Sequence, residues 1–410
     1  AWRARPASEP APAGTSSAPR RARWDAEVEE LLADLVPTPE SDRVAEGLAR
    51  GVRSTLRRTM PEVEVVGFAS GGLARGKAFG VAVPDVDVVI NVSPDVLASR
   101  LRGRVVATGD GSTTMMDVRK LEKSAIRAFT DRLVSAGGFK FRRSAFRDQE
   151  PKVTLLAPPS LGGASGEAIA VSIFVNAAIP MYSAALLTEC GQMDARARAL
   201  VLLVRRWAKD RGVCHASKGH LSPYQWSLLT IYFLQVGVEE GQILPPLAEF
   251  QVSSGLAVRA ARQGQDPEEG SPRRPRPTAR APRRSPRASA GCLLKDFFRF
   301  YNTAFGWGGE MVSVRLGKRS APDPELRPHI VVHPDGRSEV APTIEDPFEA
   351  GSNLGECLTA ATLQRLRQEL RRADGLCTAG CFLGELTEPW TPYDPAWPGE
   401  AGVGDAQLEQ

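Results

Sequence analysis

The sequence predicts an α+β protein: a mixed sheet with flanking helices, followed by a mostly α-helical domain. Three observations carry this. Short apolar runs with strand character cluster before Ala178. Beyond it, apolar residues recur at helical spacing, as at Leu200, Leu203, Val204 and Trp207. Two acids, Asp85 and Asp87, stand inside one of the apolar strands. At 410 residues the chain is long enough for two domains with cores of their own.

In chain order, residues 1–23 are rich in Pro, Ala and Arg and read as a disordered basic tail. Residues 24–60 show two helical patterns separated by a Pro-containing break. Ser41 is placed as the N-cap of the second, and both helices are expected to pack with the helical domain. Residues 61–180 form the strand-rich unit. VEVVGF (63–68) runs into the glycine-rich turn SGGLARG, and VPDVDVVINV (83–92) follows. A helix is expected near 116–136, then strands in FKFRRSAF, KVTLLAP and IAVSIFVN. Residues 181–390 form the helical unit. One helix spans 197–212 and another 222–237, the latter with Ser222 as N-cap and Pro223 at the first helical position. An Arg/Pro-rich insertion at 262–289 reads as disordered, a helix is expected near 358–373, and 391–410 read as a flexible tail. The chain shows no internal repeat.

Composition narrows the class. No run of eighteen apolar residues occurs, so no transmembrane helix and no membrane partner are expected. Six cysteines in a chain of this length do not make a disulfide scaffold. Cys377 and Cys381, and His329 and His333, are each four apart, which suits buried thiols and satisfied histidines better than a zinc site. The net charge of +4 is uneven. Residues 271–289 hold seven arginines and no acid, and residues 1–23 hold five arginines and one acid, so the remainder carries −7. Arms of this kind suit weak, salt-sensitive contacts with phosphate, and equally suit inert linkers. The chain begins at Ala1 rather than Met and reads as a fragment or a processed form. An intracellular location is expected, with the compartment left open.

The chemistry centres on Asp85-Val86-Asp87. On a strand, alternate side chains share a face, so both carboxylates point one way while Val86 and Val88 point the other. Two acids on an apolar strand repel each other and are costly to desolvate, and a divalent cation relieves both problems. The turn before them, Ser70-Gly71-Gly72, offers little side chain to block close approach of a phosphate. Arg205 and Lys209 are one helical turn apart and share a face. Tyr224 lies in the first turn of its helix, where unpaired N–H groups favour anions.

These residues sit in a pattern that resembles the non-conventional poly(A) polymerases and terminal uridylyltransferases, which carry a polymerase-beta-type nucleotidyltransferase palm. Gly71-Gly72, twelve residues, then Asp85-Val86-Asp87 is similar to the palm motif, with Gly67-Phe68 as an alternative turn register. VRRWAKDRGV, LSPYQWSLLTIYFLQ and IEDPFEAGSNLG resemble, in order, three motifs of the family's PAP-associated helical domain. The resemblance spans about residues 45–373. It implies two-metal-ion chemistry with two Mg2+ or Mn2+ ions at Asp85 and Asp87, a triphosphate near Ser70, Gly71, Gly72, Arg205, Lys209 and Ser222, and a base stacked on Tyr224. It also implies Asp346 and Glu349 near the base edge. The expected activity is template-independent addition of nucleotides to an RNA 3′ end.

Two departures stand out. The family's third carboxylate falls on Ser172 within Val171–Asn176, and a hydroxyl is neutral and a poor base. Glu167 and Glu150 are candidate substitutes. The position where uridylyl-transferring members carry a His is Ser352, which favours ATP over UTP. The alternatives are a catalytically weak RNA-binding or scaffold protein, and a uridylyltransferase.

Overall fold

The computed structural model describes residues 17–69, 77–78, 81–82, 86–101, 118–146, 150–161, 168–250, 288–349 and 351–391. Among these, the first half builds one five-stranded mixed sheet. Its strands are β1 (Glu64–Ala69), β4 (Val86–Asn91), β5 (Lys140–Ala145), β6 (Lys152–Leu156) and β7 (Ala170–Val175), in the order β1-β4-β7-β6-β5. Only β4 and β7 run parallel. A two-residue pair, β2 (Lys77–Ala78) and β3 (Val81–Ala82), precedes β4.

One face of the sheet is closed by α2 (Pro39–Arg57), α3 (Pro94–Leu101) and α4 (Val118–Gly137). Val44, Leu48, Val52 and Leu56 of α2 recur every four residues and enter the same core as Val86, Val88 and Ile90. This corrects the expectation that residues 24–60 pack as one unit with the helical domain: α2 belongs to the sheet. Helix α1 (Ser17–Leu35) packs instead among the second-half helices, through Trp24, Val28 and Leu35. It begins inside the expected tail, so residues 17–23 are helical, and residues 1–16 lie outside the described residues. The cap of α2 is Thr38 rather than Ser41. Its hydroxyl accepts from Ser41 N–H while Ser41 returns the bond to Thr38 N–H, a reciprocal capping box.

The second half centres on α5 (Ile179–Met193), α6 (Ala195–Asp210), α7 (Pro223–Val236), α8 (Ala290–Arg299) and α9 (Ala360–Ala379), with a short α10 (Leu383–Leu386). Helix α7 is apolar all round and buried on all sides, with Trp226, Tyr232 and Phe233 fully enclosed. Four short strands that the helical reading did not anticipate lie between α8 and α9. They form two pairs, β8 (Met311–Val312) with β11 (Thr343–Ile344) and β9 (Ile330–Val332) with β10 (Ser338–Val340). Of the Arg-rich insertion, residues 262–287 lie outside the described residues. Ser289 is structured, capping α8 through Cys292 N–H and donating to Asp25. Residues 392–410 of the expected tail also lie outside them. No described helix is long and apolar enough to cross a membrane.

Candidate functional site

Strand alternation places Asp87. Val86, Val88 and Ile90 of β4, Val171, Ile173 and Val175 of β7, and Val153 and Leu155 of β6 all enter the sheet core. The intervening residues therefore face the opposite side. Register then aligns one row across that face: Phe68 on β1, Asp87 on β4, Ser172 on β7, Thr154 on β6 and Arg143 on β5. At about 4.8 Å per strand, Arg143 stands roughly 14 Å along the row from Asp87. Lys152 shares the face, its ammonium 5.6 Å from the centroid of the Phe174 ring.

The electrostatics converge on Asp87. Burial raises its carboxyl above the usual range, while the cations Lys152, Arg205 and Lys209 and a hydrogen bond from Ser172 pull the other way. Arg205, on the face of α6 that it shares with Lys209, is not in solvent. It is buried, its Nε donating to the Pro223 carbonyl at 3.1 Å and Ser227 Oγ at 2.7 Å, and its Nη2 to Ser183 Oγ at 2.7 Å. Arg205 thus ties α5, α6 and the first turn of α7 together while its charge reaches the sheet. Lys209, one turn on, is half-buried.

Ser222 caps α7, its hydroxyl accepting from Gln225 N–H at 3.3 Å, with the Gln225 side chain returning the bond. Tyr224 follows in the first turn, buried, its hydroxyl donating to Asp346 Oδ1 at 3.4 Å. Burial pushes that hydroxyl well above its ordinary range, and the Asp346 carboxylate adds to the shift. Asp346 is itself buried and raised by desolvation, and it accepts Phe348 N–H at 3.0 Å. Glu349 is exposed, and its carbonyl accepts Ser352 N–H at 3.2 Å.

Glu150, one candidate for the missing acid, is engaged elsewhere. Its Oε1 accepts from Ala178 N at 2.8 Å and Ile179 N at 3.0 Å, at the start of α5. Burial lifts its carboxyl to about 7. Ser70, Gly71, Gly72, Asp85 and Glu167 lie outside the described residues.

Sequence reasoning missed several neighbours. Lys152 sits two strands from Asp87 and was not singled out. Tyr182 stacks on Phe348 with ring centroids 4.0 Å apart, joining α5 to the loop that carries Asp346. Asn176 takes a left-handed backbone (φ 52°) and its side chain accepts Val92 N–H at 2.9 Å, locking β7 to the end of β4. That residue type is the one signal visible in advance, since Asn tolerates this conformation.

On the helical side of the same region lie Cys214 and His215. Cys214 is buried and lifted to about 11 by desolvation, within the field of Lys209, Arg205 and Lys152. His215 is pushed down to about 4 by burial and by Arg143 and Lys218. His220 is also pushed down to about 4, by burial, Arg365 and Lys218. Both imidazoles are neutral in the fold, so the unfolded chain binds more protons between about pH 6.5 and 4. Their contribution is fully present above that window and is withdrawn as pH falls through it. Of the four histidines, these two are expected to keep neutral-ring NMR shifts at pH 5. Half-titration of either near pH 6.5 would contradict the assignment.

For a divalent cation the described part of β4 supplies Asp87, and its partner in the sequence motif, Asp85, lies outside the described residues. Among the described residues no group of three or more His, Cys, Asp or Glu side chains forms a metal site.

No protein-family model matches the chain. The terminal uridylyltransferase cid1 of Schizosaccharomyces pombe is 24% identical over 348 residues, covering 81% of this chain and 73% of cid1. Human poly(A) RNA polymerase GLD2 is 30% identical over 191 residues, covering 45% of this chain and 34% of GLD2. A solved structure of Cid1, characterised for its RNA terminal uridylyl transferase activity, superposes with a TM-score of 0.57 at 19% identity. It covers 90% of this chain and 98% of that one. Cid1 bound to its short product ApU gives a TM-score of 0.55 at 20% identity, covering 90% and 99%. The fold is therefore the Cid1 nucleotidyltransferase fold.

Proposed function

We propose that this chain, a homologue of the terminal uridylyltransferases and poly(A) RNA polymerases, is a template-independent RNA 3′-terminal nucleotidyltransferase that favours ATP. The observation that carries the reading is Asp87, a partly buried acid on a Cid1-like sheet, with the charges of Lys152, Arg205 and Lys209 converging on it. In the reaction the RNA 3′-oxygen bonds to the α-phosphorus of the nucleotide and the bond to the β-phosphate oxygen breaks, releasing pyrophosphate. Mg2+ or Mn2+ at Asp85 and Asp87 would supply charge neutralisation at that phosphorus.

The chain's own residues have distinct tasks. Lys209 and Arg205 provide positive charge for the phosphates, and Arg205 also fixes the first turn of α7 through the Pro223 carbonyl. Tyr224, held by Asp346, offers its ring to the base from that turn. Asp346 and Glu349 bracket the loop at the base edge, and Ser352 stands where a uracil-reading His is found in uridylyl-transferring members. Ser70, Gly71 and Gly72 would line the phosphates.

The second reading, a weakly catalytic RNA-binding relative, is favoured by Ser172 in register with Asp87 and by Glu150 being committed to the start of α5. Incubation with a short single-stranded RNA, Mg2+ or Mn2+ and each nucleoside triphosphate separately distinguishes the two. Extension is expected with ATP at least severalfold faster than with UTP. No extension with any of the four overturns the enzymatic reading, and a UTP preference overturns the nucleotide assignment.

A further inference from the structure

We propose that Glu150 is a positioning residue for the nucleotide: its carboxylate ties the first turn of α5 to the sheet, and α5 in turn holds the side chains that place Arg205 and Tyr224. This role rests on the nucleotide-binding reading of Arg205 and Tyr224, and carries it from the site to the strut behind it.

The residues just before α5 offer it no cap of their own. Ala177 and Ala178 have no acceptor in their side chains, Ala178 stands at the N-cap position without a side-chain bond, and Asn176 uses its side chain on Val92 N–H. The first N–H groups of a helix then need an acceptor from elsewhere. Glu150, two residues before β6 begins at Lys152, supplies it. Its Oε1 accepts from Ala178 N at 2.8 Å and from Ile179 N at 3.0 Å, and Pro180, next in the turn, brings no N–H. A carboxylate also suits the positive end of a helix. The tie falls where the chain passes from β7, which ends at Val175, into the helical half.

Two branches lead on from α5. In one, Ser183 Oγ accepts from Arg205 Nη2 at 2.7 Å, and Arg205 Nε reaches the Pro223 carbonyl in the first turn of α7 at 3.1 Å. In the other, Tyr182 stacks on Phe348 with ring centroids 4.0 Å apart, and Phe348 N–H and the Tyr224 hydroxyl both donate to Asp346 Oδ1. A shift in the first turn of α5 is therefore delivered to Arg205 and to Tyr224 together. Glu150 also stands within the fields of Lys152 and Asp346, and its own charge acts on Tyr224, so the strut lies beside the residues it places.

The test measures binding of α,β-methylene-ATP with Mg2+ to the full chain by titration calorimetry, and KM and kcat by extension of a short RNA with ATP. Glu150→Asp keeps the charge but is one methylene too short to reach both N–H groups. Glu150→Gln keeps the reach and the acceptor without the charge. Glu150→Asp is expected to weaken binding about tenfold at native stoichiometry, and to raise KM for ATP alike with kcat within about twofold. Glu150→Gln should stay within about twofold of native in all of these. Unchanged affinity and KM in Glu150→Asp, with lowered stoichiometry or kcat, is the mark of a merely structural residue and overturns the proposal. Glu150→Gln as weak as Glu150→Asp, or weaker, also overturns it, because charge rather than the tie would then be responsible. Absent RNA extension with the expected order of affinities sinks the functional reading alone. No binding of the analogue by the native protein overturns both.

Discussion

Replacing Asp85 and Asp87 together with alanine is expected to reduce RNA extension by about three orders of magnitude or more, the scale of losing groups that act in the transition state. The companion expectation runs the other way for stability. Burial, the largest influence on Asp87, raises its carboxyl, so the charged form is disfavoured in the fold at neutral pH. Asp87→Asn keeps shape and removes that charge, so its melting temperature without metal should equal or exceed that of the native protein. Addition of Mg2+ and a nucleotide should raise the native melting temperature and leave the variant unmoved, because binding to the folded state alone stabilises by mass action. Extension that persists in the double variant would remove Asp85 and Asp87 from the mechanism. A large fall in metal-free stability for Asp87→Asn would make Asp87 a structural acid.

The second large effect lies just beyond the C-terminal end of α6, at Arg211. Glu369 is 2% exposed and accepts two bonds from Arg211, from Nε at 2.8 Å and Nη2 at 2.9 Å. Arg365 Nη1 reaches the same carboxylate at 2.7 Å. Both guanidiniums are buried, and Arg365 also lies over the Trp390 ring, 4.5 Å from its centroid. Removing the one acid strands two buried cations, an arrangement that costs about 3–5 kcal/mol. Glu369→Ala should therefore lower the melting temperature by about 4–6 °C, since an unfolding entropy of about 2.1 cal/mol/K per residue gives roughly 1.2 °C per kcal/mol for a chain of 410 residues. Glu369→Gln, which keeps acceptor capacity but not charge, should fall between. Denaturant unfolding gives the free energy directly, and a loss under about 1 kcal/mol would show that the arginines find other partners.

Much of the site was legible because its signals are local. Asp85-Val86-Asp87 announces itself through strand alternation. Ser222 and Pro223 mark the start of α7 through a cap that spans four residues, and the structure places both there. The same locality explains the error at α2. Thr38 and Ser41 both carry hydroxyls and bond reciprocally, so residue type alone does not say which is the cap. The surroundings of Arg205 were not legible for a different reason: its i,i+4 relation to Lys209 is local, but the groups that bury it, Ser183 and Ser227, come from two other helices. Glu150 looked like a spare acid until the start of α5 folded against it.

By itself, then, the sequence determined the longer strands and helices, the acid strand, the order of motifs and the substitution at Ser172, but not the four short strands between α8 and α9. These follow from periodicity, capping and residue chemistry, which act over a few residues. Tertiary structure alone decided that Ser172 faces Asp87 in register and donates to it, that α2 belongs to the sheet, and that Arg205 is a tie as well as a charge. It also decided that Arg211, Arg365 and Glu369, separated by as many as 158 positions, share one buried cluster. Such pairings depend on which surfaces exclude water together, and burial is what turns a distant charge or hydroxyl into a partner.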